Sequence, residues 1–130
     1  MLSQWRFREY IAPSGMRVIE NWYAEQADDV QAAFDAVLEY LAQRSRNEWR
    51  RPEFDKLSGK YAKLGELRFE VRNVQYRPFG FFGPGRAEFT LLIGAIKKGK
   101  KYDPLSACET ALKRMRQVLA DQGRSHVYEI

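Results

Sequence analysis

The apolar positions change period once along the chain. Between Ser14 and Gln26, Met16, Ile19, Trp22 and Tyr23 fall on one face of a helix that Ser14 is placed to cap. From Asp28 to about Arg44, Val30, Phe34, Val37, Leu38 and Leu41 recur every three or four residues, the strongest helical stripe in the sequence. Asp28 and Asp29 put carboxylates at its positive end. Arg51-Pro52 breaks the pattern. From Leu64 to Arg72 the period becomes two: Leu67, Phe69 and Val71 alternate with Glu66, Arg68, Glu70 and Arg72, as in a sheet with one covered face. Asn73-Val74 supplies a turn. Gln75 to Phe82 is the next strand, in which Pro78 implies an edge or a bulge because it cannot donate to a ladder. Gly83-Pro84-Gly85 turns the chain into Ala87 to Ile96, the most apolar strand and the expected sheet centre. Lys97-Lys98-Gly99-Lys100-Lys101 leaves it. Asp103 as N-cap and Pro104 as first helical residue then open a final helix. Its stripe is Leu105, Cys108, Ala111, Leu112, Met115, Val118 and Leu119, with Gly123 just beyond. A weaker alternation from Gln4 to Tyr10 precedes the helices, and residues 121–130 read as a mobile tail or a short edge strand. The order is strand, two helices, antiparallel meander, helix: an α+β chain whose helices cover at least one sheet face.

Length and composition narrow the setting. The 130 residues contain no repeat or linker and read as a single domain over residues 1–130. One cysteine, Cys108, excludes an internal disulfide and fits a reducing compartment. The first ten residues, MLSQWRFREY, carry charges where a signal peptide needs an apolar stretch. The longest apolar run, Phe89 to Ile96, falls far short of the ~20 residues that span a bilayer. A cytoplasmic protein with no membrane partner is expected. The net charge of +5 is unevenly placed: residues 1–58 carry 8 Lys/Arg against 10 Asp/Glu, and residues 59–130 carry 14 against 7. A basic second half suits a polyanionic partner, whose counterions it would release. A solvated basic surface without a dedicated ligand fits the charge equally well.

Most familiar chemistry is missing. The only histidine is His126, which excludes a multi-histidine metal site, and one cysteine with one histidine does not make a zinc site. No metal and no small-molecule cofactor is expected. The glycines of Phe81 to Gly85 lack the Gly-Lys-Ser/Thr of a phosphate-cradling loop. What remains is cationic. Arg68 and Arg72 share the polar face of their strand with Glu66 and Glu70, as phosphate contacts or as surface ion pairs. By alternation Arg77 shares a face with Phe79 and Phe81, where it can bind a phosphate beside stacking rings. The other reading is a phenylalanine core with one snorkelling arginine. Lys97, Lys98, Lys100 and Lys101 form either a phosphate track or a solvated loop.

Taken together, Leu57-Ser58-Gly59, Glu66-Leu67-Arg68, Tyr76-Arg77, Leu91-Leu92, Lys97-Lys98 and Pro104 resemble, in order and spacing, the RelE/HigB superfamily of toxin–antitoxin toxins, and most of all its phage-derived HigB-like branch. Trp5 and Trp22 fit that branch, and the resemblance spans roughly residues 5–118. It implies a RelE-like fold, with an N-terminal strand and two helices packed on an antiparallel sheet and a C-terminal helix following. It implies a metal-independent endoribonuclease that cleaves mRNA on the ribosome and so inhibits translation. The implied partners are that mRNA and a helix-turn-helix antitoxin encoded next to the chain. Carried residue by residue, Arg77 matches the strand arginine at the scissile phosphate, Arg68 the arginine of the Glu-Leu-Arg strand, and Lys98 the basic residue after the last strand. Arg72, Lys97, Lys100 and Lys101 are the expected RNA contacts. Glu66, Tyr102 and His126, in that order, are candidates for acid–base work. The chain departs from RelE at Leu64 and Glu66, where RelE carries strand lysines, and Tyr102 lies closer to Lys98 than RelE's C-terminal tyrosine would. The alternatives within this group are a gyrase-inhibiting binding protein of ParE type and an inactive phage-derived relative that binds RNA or a partner.

Overall fold

The computed structural model describes residues 4–130. Strand β1 (Arg6–Tyr10) leads into helices α1 (Val18–Ala24) and α2 (Asp28–Ala42), then strands β2 (Phe54–Lys56), β3 (Gly65–Leu67), β4 (Phe69–Val71), β5 (Val74–Tyr76), β6 (Phe79–Phe82), β7 (Glu88–Ile93), β8 (Ile96–Lys98) and β9 (Lys101–Asp103). Helix α3 (Ala107–Ala120) and strand β10 (Ser125–Val127) complete the chain. The strands form a six-stranded sheet, β10-β1-β7-β6-β3-β2, and a four-stranded sheet, β4-β5-β8-β9. The expected α+β architecture is present, with α3 following the strands of an antiparallel meander. β1 lies parallel to β7, which sits between β1 and β6 and is therefore central, as its apolar run implied.

The two sheets are one meander bent across a crease. Its three long strands are interrupted at the same level: at Arg68, at Arg77-Pro78, and at Gly94-Ala95. Pairing passes through the crease in two backbone bonds, Leu67 N–H to Pro78 O (2.8 Å) and Arg77 N–H to Ala95 O (2.7 Å). Pro78 has no N–H to give, and the register shifts immediately after it, between Phe79 and Gly80. Trp22 of α1 lies against the crease from one side, so close that a Cβ on Gly94 would sit 2.4 Å from the indole nitrogen.

Helices cover both faces of the larger sheet. Neighbouring residues of β1 point to opposite faces, and each serves a different helix. Glu9, fully buried, accepts the backbone N–H groups of Ile19 (3.0 Å) and Glu20 (2.9 Å) and pairs with Arg17 at 2.9 Å. Tyr10 donates its hydroxyl to Gln117 of α3. On the α1–α2 side, the buried Phe34, Leu38 and Leu41 realise the predicted stripe, and Phe34 meets Phe69 of β4 at 6.1 Å. Full burial of one such side chain contributes ~1.5–3 kcal/mol.

Local expectations failed at the starts of the first and last helices, whereas the second begins at Asp28 as expected. The first helix begins at Val18 because Glu9, from another element, satisfies its leading amides; Ser14 stays in the preceding turn and Met16 is 43 % exposed. The last helix begins at Ala107, since Asp103 is consumed by β9 and Leu105 is 80 % exposed. The turn before β5 is Arg72-Asn73, both with positive φ (50° and 65°), which suits the twist of a hairpin. The lysine run is a second hairpin, β8–β9, and residues 125–127 take the edge-strand alternative by pairing with β1. No helix among the described residues is long and apolar enough to cross a membrane.

Candidate functional site

Cross-strand register places a polar row on one face of the four-stranded sheet. Glu70 faces Gln75, Gln75 faces Lys97, and Lys97 faces Tyr102, so all four project to the same side. Their alternates, including Phe69 and Tyr76, turn to the other side, where the two rings stack at 5.1 Å. The same alternation carries Glu66 and Arg77 onto the polar side at the crease, Glu66 standing opposite Phe79. Phe79 meets the Tyr102 ring edge-on at 4.9 Å.

Glu66 is the hub. It is 3 % exposed, and both carboxylate oxygens are engaged. Tyr102 donates its hydroxyl to Oε1 at 2.5 Å; Arg68 Nη1 donates to Oε2 at 2.5 Å, and Arg77 Nε stands 3.7 Å from that same oxygen. Arg77 is 5 % exposed. Its Nη1 donates to the Tyr76 carbonyl (2.7 Å) and its Nη2 to Gln75 Oε1 (2.8 Å), while Nε is buried without a hydrogen-bond acceptor. Gln75 is braced in turn by Glu70. Arg77 is thus held on three sides with hydrogen-bonding capacity to spare. Lys97 Nζ lies over the Tyr102 ring at 5.1 Å.

The electrostatics follow from burial. Desolvation, and then the hydrogen bond to Glu66, push the Tyr102 hydroxyl well above its ordinary range, so it is a proton donor at neutral pH. Burial, and then the neighbouring Arg68 charge, pull Arg77 below its usual value, but a guanidinium still keeps its proton. Cys108, in the first turn of α3, is raised by burial and then by Glu66; it is a thiol rather than a reactive thiolate. Two guanidiniums and a neutral phenol therefore surround one carboxylate, with Lys97 over the phenol ring. Guanidiniums have the geometry to pair with a phosphate, and a protonated phenol has a proton to give.

The structure brings together Arg77, Arg68, Glu66, Tyr102 and Lys97 from the residues singled out by sequence. It leaves others apart. Lys98 lies on the opposite face of β8, with Nζ 3.4 Å from Asp103. Arg72 is taken by Asp29 at the start of α2, Nε to carboxylate 3.0 Å, because its turn swings it away from the strand face. Lys100 and Lys101 are exposed at the β8–β9 hairpin, Lys101 facing Lys98. His126 lies on β10, with β1, β7 and β6 between it and β3. Gln75 was missed, although its spacing from Arg77 puts both on one strand face. Among the described residues, no group of three or more His, Cys, Asp or Glu side chains is placed to hold a metal ion.

A family model described as "Phage derived protein Gp49-like (DUF891)" matches residues 21–116. No curated protein and no solved structure matches the chain.

Proposed function

The chain belongs to the Gp49-like family of phage-derived proteins, toxin–antitoxin-associated proteins of the RelE/HigB type, and from that membership we propose that it is the toxin of such a pair and arrests translation by cutting ribosome-bound mRNA. The observation that carries the catalytic half is Arg77: a nearly buried guanidinium, fixed by Glu66 and Gln75, beside Arg68, Lys97 and a protonated Tyr102. Burying an arginine costs stability unless it is paired. Holding it beside further cations suits an anionic transition state.

In cleavage of this kind the 2′-oxygen attacks the adjacent phosphorus, the bond to the 5′-oxygen breaks, and a 2′,3′-cyclic phosphate is left. Arg77 and Arg68 offset the charge that builds on the phosphoryl oxygens. A phosphate entering the cluster competes with Glu66 for Arg68, the more exposed of the two arginines. The carboxylate so released takes the 2′-hydroxyl proton, and Tyr102 supplies one to the departing 5′-oxygen. Lys97 extends the positive surface along the bound strand. The partner that restrains this activity is a small helix-turn-helix antitoxin encoded beside the chain.

Induced expression followed by mapping of 5′ ends across cellular mRNA tests the reading. New ends within codons of translated messages are expected as growth stops. Intact messages in arrested cells, with purified gyrase inhibited in a supercoiling assay, would move the protein to the ParE type.

A further inference from the structure

We propose that the side of α3 next to Tyr10 of β1 carries a binding site for a phosphate group, separate from the crease cluster. Thr110, Lys113, Arg114 and Gln117 recur at helical spacing and so share one side of α3. With Tyr10, Ala12 and Pro13 they line a recess of about 250 Å³. Thr110, Arg114 and Gln117 are half-buried and Lys113 is exposed, so the groups that meet a ligand are open to it. Cys108, whose thiol feels the Glu66 charge, falls on the opposite side of the helix, and the recess shares no residue with the cluster around Glu66.

What the recess offers is positive charge and hydrogen-bond donors. Arg114 Nη1 donates to Leu92 O (2.8 Å), its one protein acceptor among the described residues, and the guanidinium carbon lies 4.9 Å from the Tyr10 ring centroid. No ion pair among the described residues includes Arg114 or Lys113. Burial pulls Arg114 below its usual value, the Tyr10 hydroxyl opposing, yet a guanidinium keeps its proton. A cation drawn out of water is ordinarily paired. Here the natural partner on the helix is occupied: Glu109, one turn before Lys113, is held by Lys60 and Tyr61. Tyr10 donates to Gln117 Oε1, which leaves that amide its N–H groups. The Thr110 hydroxyl makes only a long contact, 3.5 Å to Ser106 Oγ. No carboxylate lines the recess. A guanidinium, an ammonium, an amide and a hydroxyl side by side suit a tetrahedral oxyanion better than a planar carboxylate with two oxygens. At ~30 Å³ per water the recess holds about eight waters, room for one phosphate group and part of its hydration shell.

Nuclear magnetic resonance titration of the isotope-labelled whole chain with inorganic phosphate, at constant ionic strength, tests the assignment. Saturable shifts are expected at the amides of Thr110, Lys113 and Gln117, the Gln117 side chain included. Lys113→Glu changes an exposed side chain, so it should leave the rest of the spectrum in place and bind about tenfold more weakly or worse. Arg114→Lys keeps the charge without the planar fork and should weaken binding as well. Adenosine monophosphate and a single-stranded RNA oligomer lacking a terminal phosphate separate the sources. Whichever loses more affinity in Lys113→Glu assigns the site to a phosphomonoester or to an internal phosphodiester. The mRNA-cleavage reading is untouched by these outcomes, since it is decided by the mapping of 5′ ends. Acetate shifting the same amides as strongly as phosphate makes the recess a general anion patch and overturns the inference. Phosphate shifts confined to Arg68, Lys97 and Tyr102, or unchanged in both variants, overturn it too.

Discussion

Replacing Glu66 with glutamine removes one negative charge from a buried cluster and keeps its shape. The amide oxygen can still accept from Tyr102, but Arg77 loses the carboxylate that stands 3.7 Å from its Nε and has only neutral acceptors left, Tyr76 O and Gln75 Oε1. Removing one partner of a buried ion pair costs ~3–5 kcal/mol when the other charge is fully stranded. Two features reduce that here: Arg77 keeps its two hydrogen bonds, and Arg68 is partly solvated, with 21 % of its side chain exposed. A loss of ~2–3 kcal/mol is therefore expected, which for a chain of this size lowers Tm by ~6–15 °C. Urea denaturation of the two proteins measures it, with the slope m unchanged if only the native cluster is affected. A double-mutant cycle with Arg77→Met isolates the pair, and a coupling of ~1 kcal/mol or more is expected. A Glu66→Gln protein within ~0.5 kcal/mol of wild type would refute the reasoning, because the carboxylate would then not be the counter-charge that holds Arg77.

The other expectations are more direct. Arg77→Ala should lose most of the growth arrest and mRNA cleavage, whereas Lys98→Ala, on the opposite face, should retain both; equal effects in a cleavage assay would dissolve the distinction between the two faces. Tyr102→Phe removes one hydrogen bond to a charged partner, ~1.5–3 kcal/mol at neutral pH. The Tyr102 hydroxyl is raised in the folded state, so its contribution is fully present below the ordinary tyrosine value of 10.0 and declines as pH rises beyond it. The stability gap between wild type and Tyr102→Phe should therefore narrow above about pH 10 in alkaline unfolding curves; a widening gap contradicts the assignment. Gly94→Ala drives a methyl into the Trp22 indole and should cost ~1–3 kcal/mol by thermal melting, with no loss meaning that α1 is not seated on the crease.

Local rules were reliable wherever one element's own residues carried the information. The α2 stripe from Val30 to Leu41, the alternation through Leu67, Phe69 and Val71, and the irregularity at Pro78 all appear in the structure, because each depends on periodicity or on a missing N–H. They were unreliable where the partner came from elsewhere. Ser14 is a sound capping residue, yet Glu9 caps the first helix from across the fold. The lysine run looked like a loop because four lysines say nothing of pairing, and only the β8–β9 register carries Tyr102 to Glu66. Lys98 was preferred to Lys97 by motif position, although the two differ by a single residue in a strand and hence by a whole face.

The sequence by itself determined the α+β order, the apolar strand that becomes the sheet centre, the basic second half, and the presence of Glu66 and Arg68 on one strand and Arg77 on the next. Those features are written in spacing and composition, which any reader of the chain can count. Only the tertiary structure decided that the meander bends at one level, that Glu66 is buried with both oxygens occupied, and that Tyr102 joins it while Arg72 and Lys98 turn away. These follow from register, burial and contacts between residues far apart in the chain, such as Glu66 and Tyr102, where a one-residue shift sends a side chain to the other face.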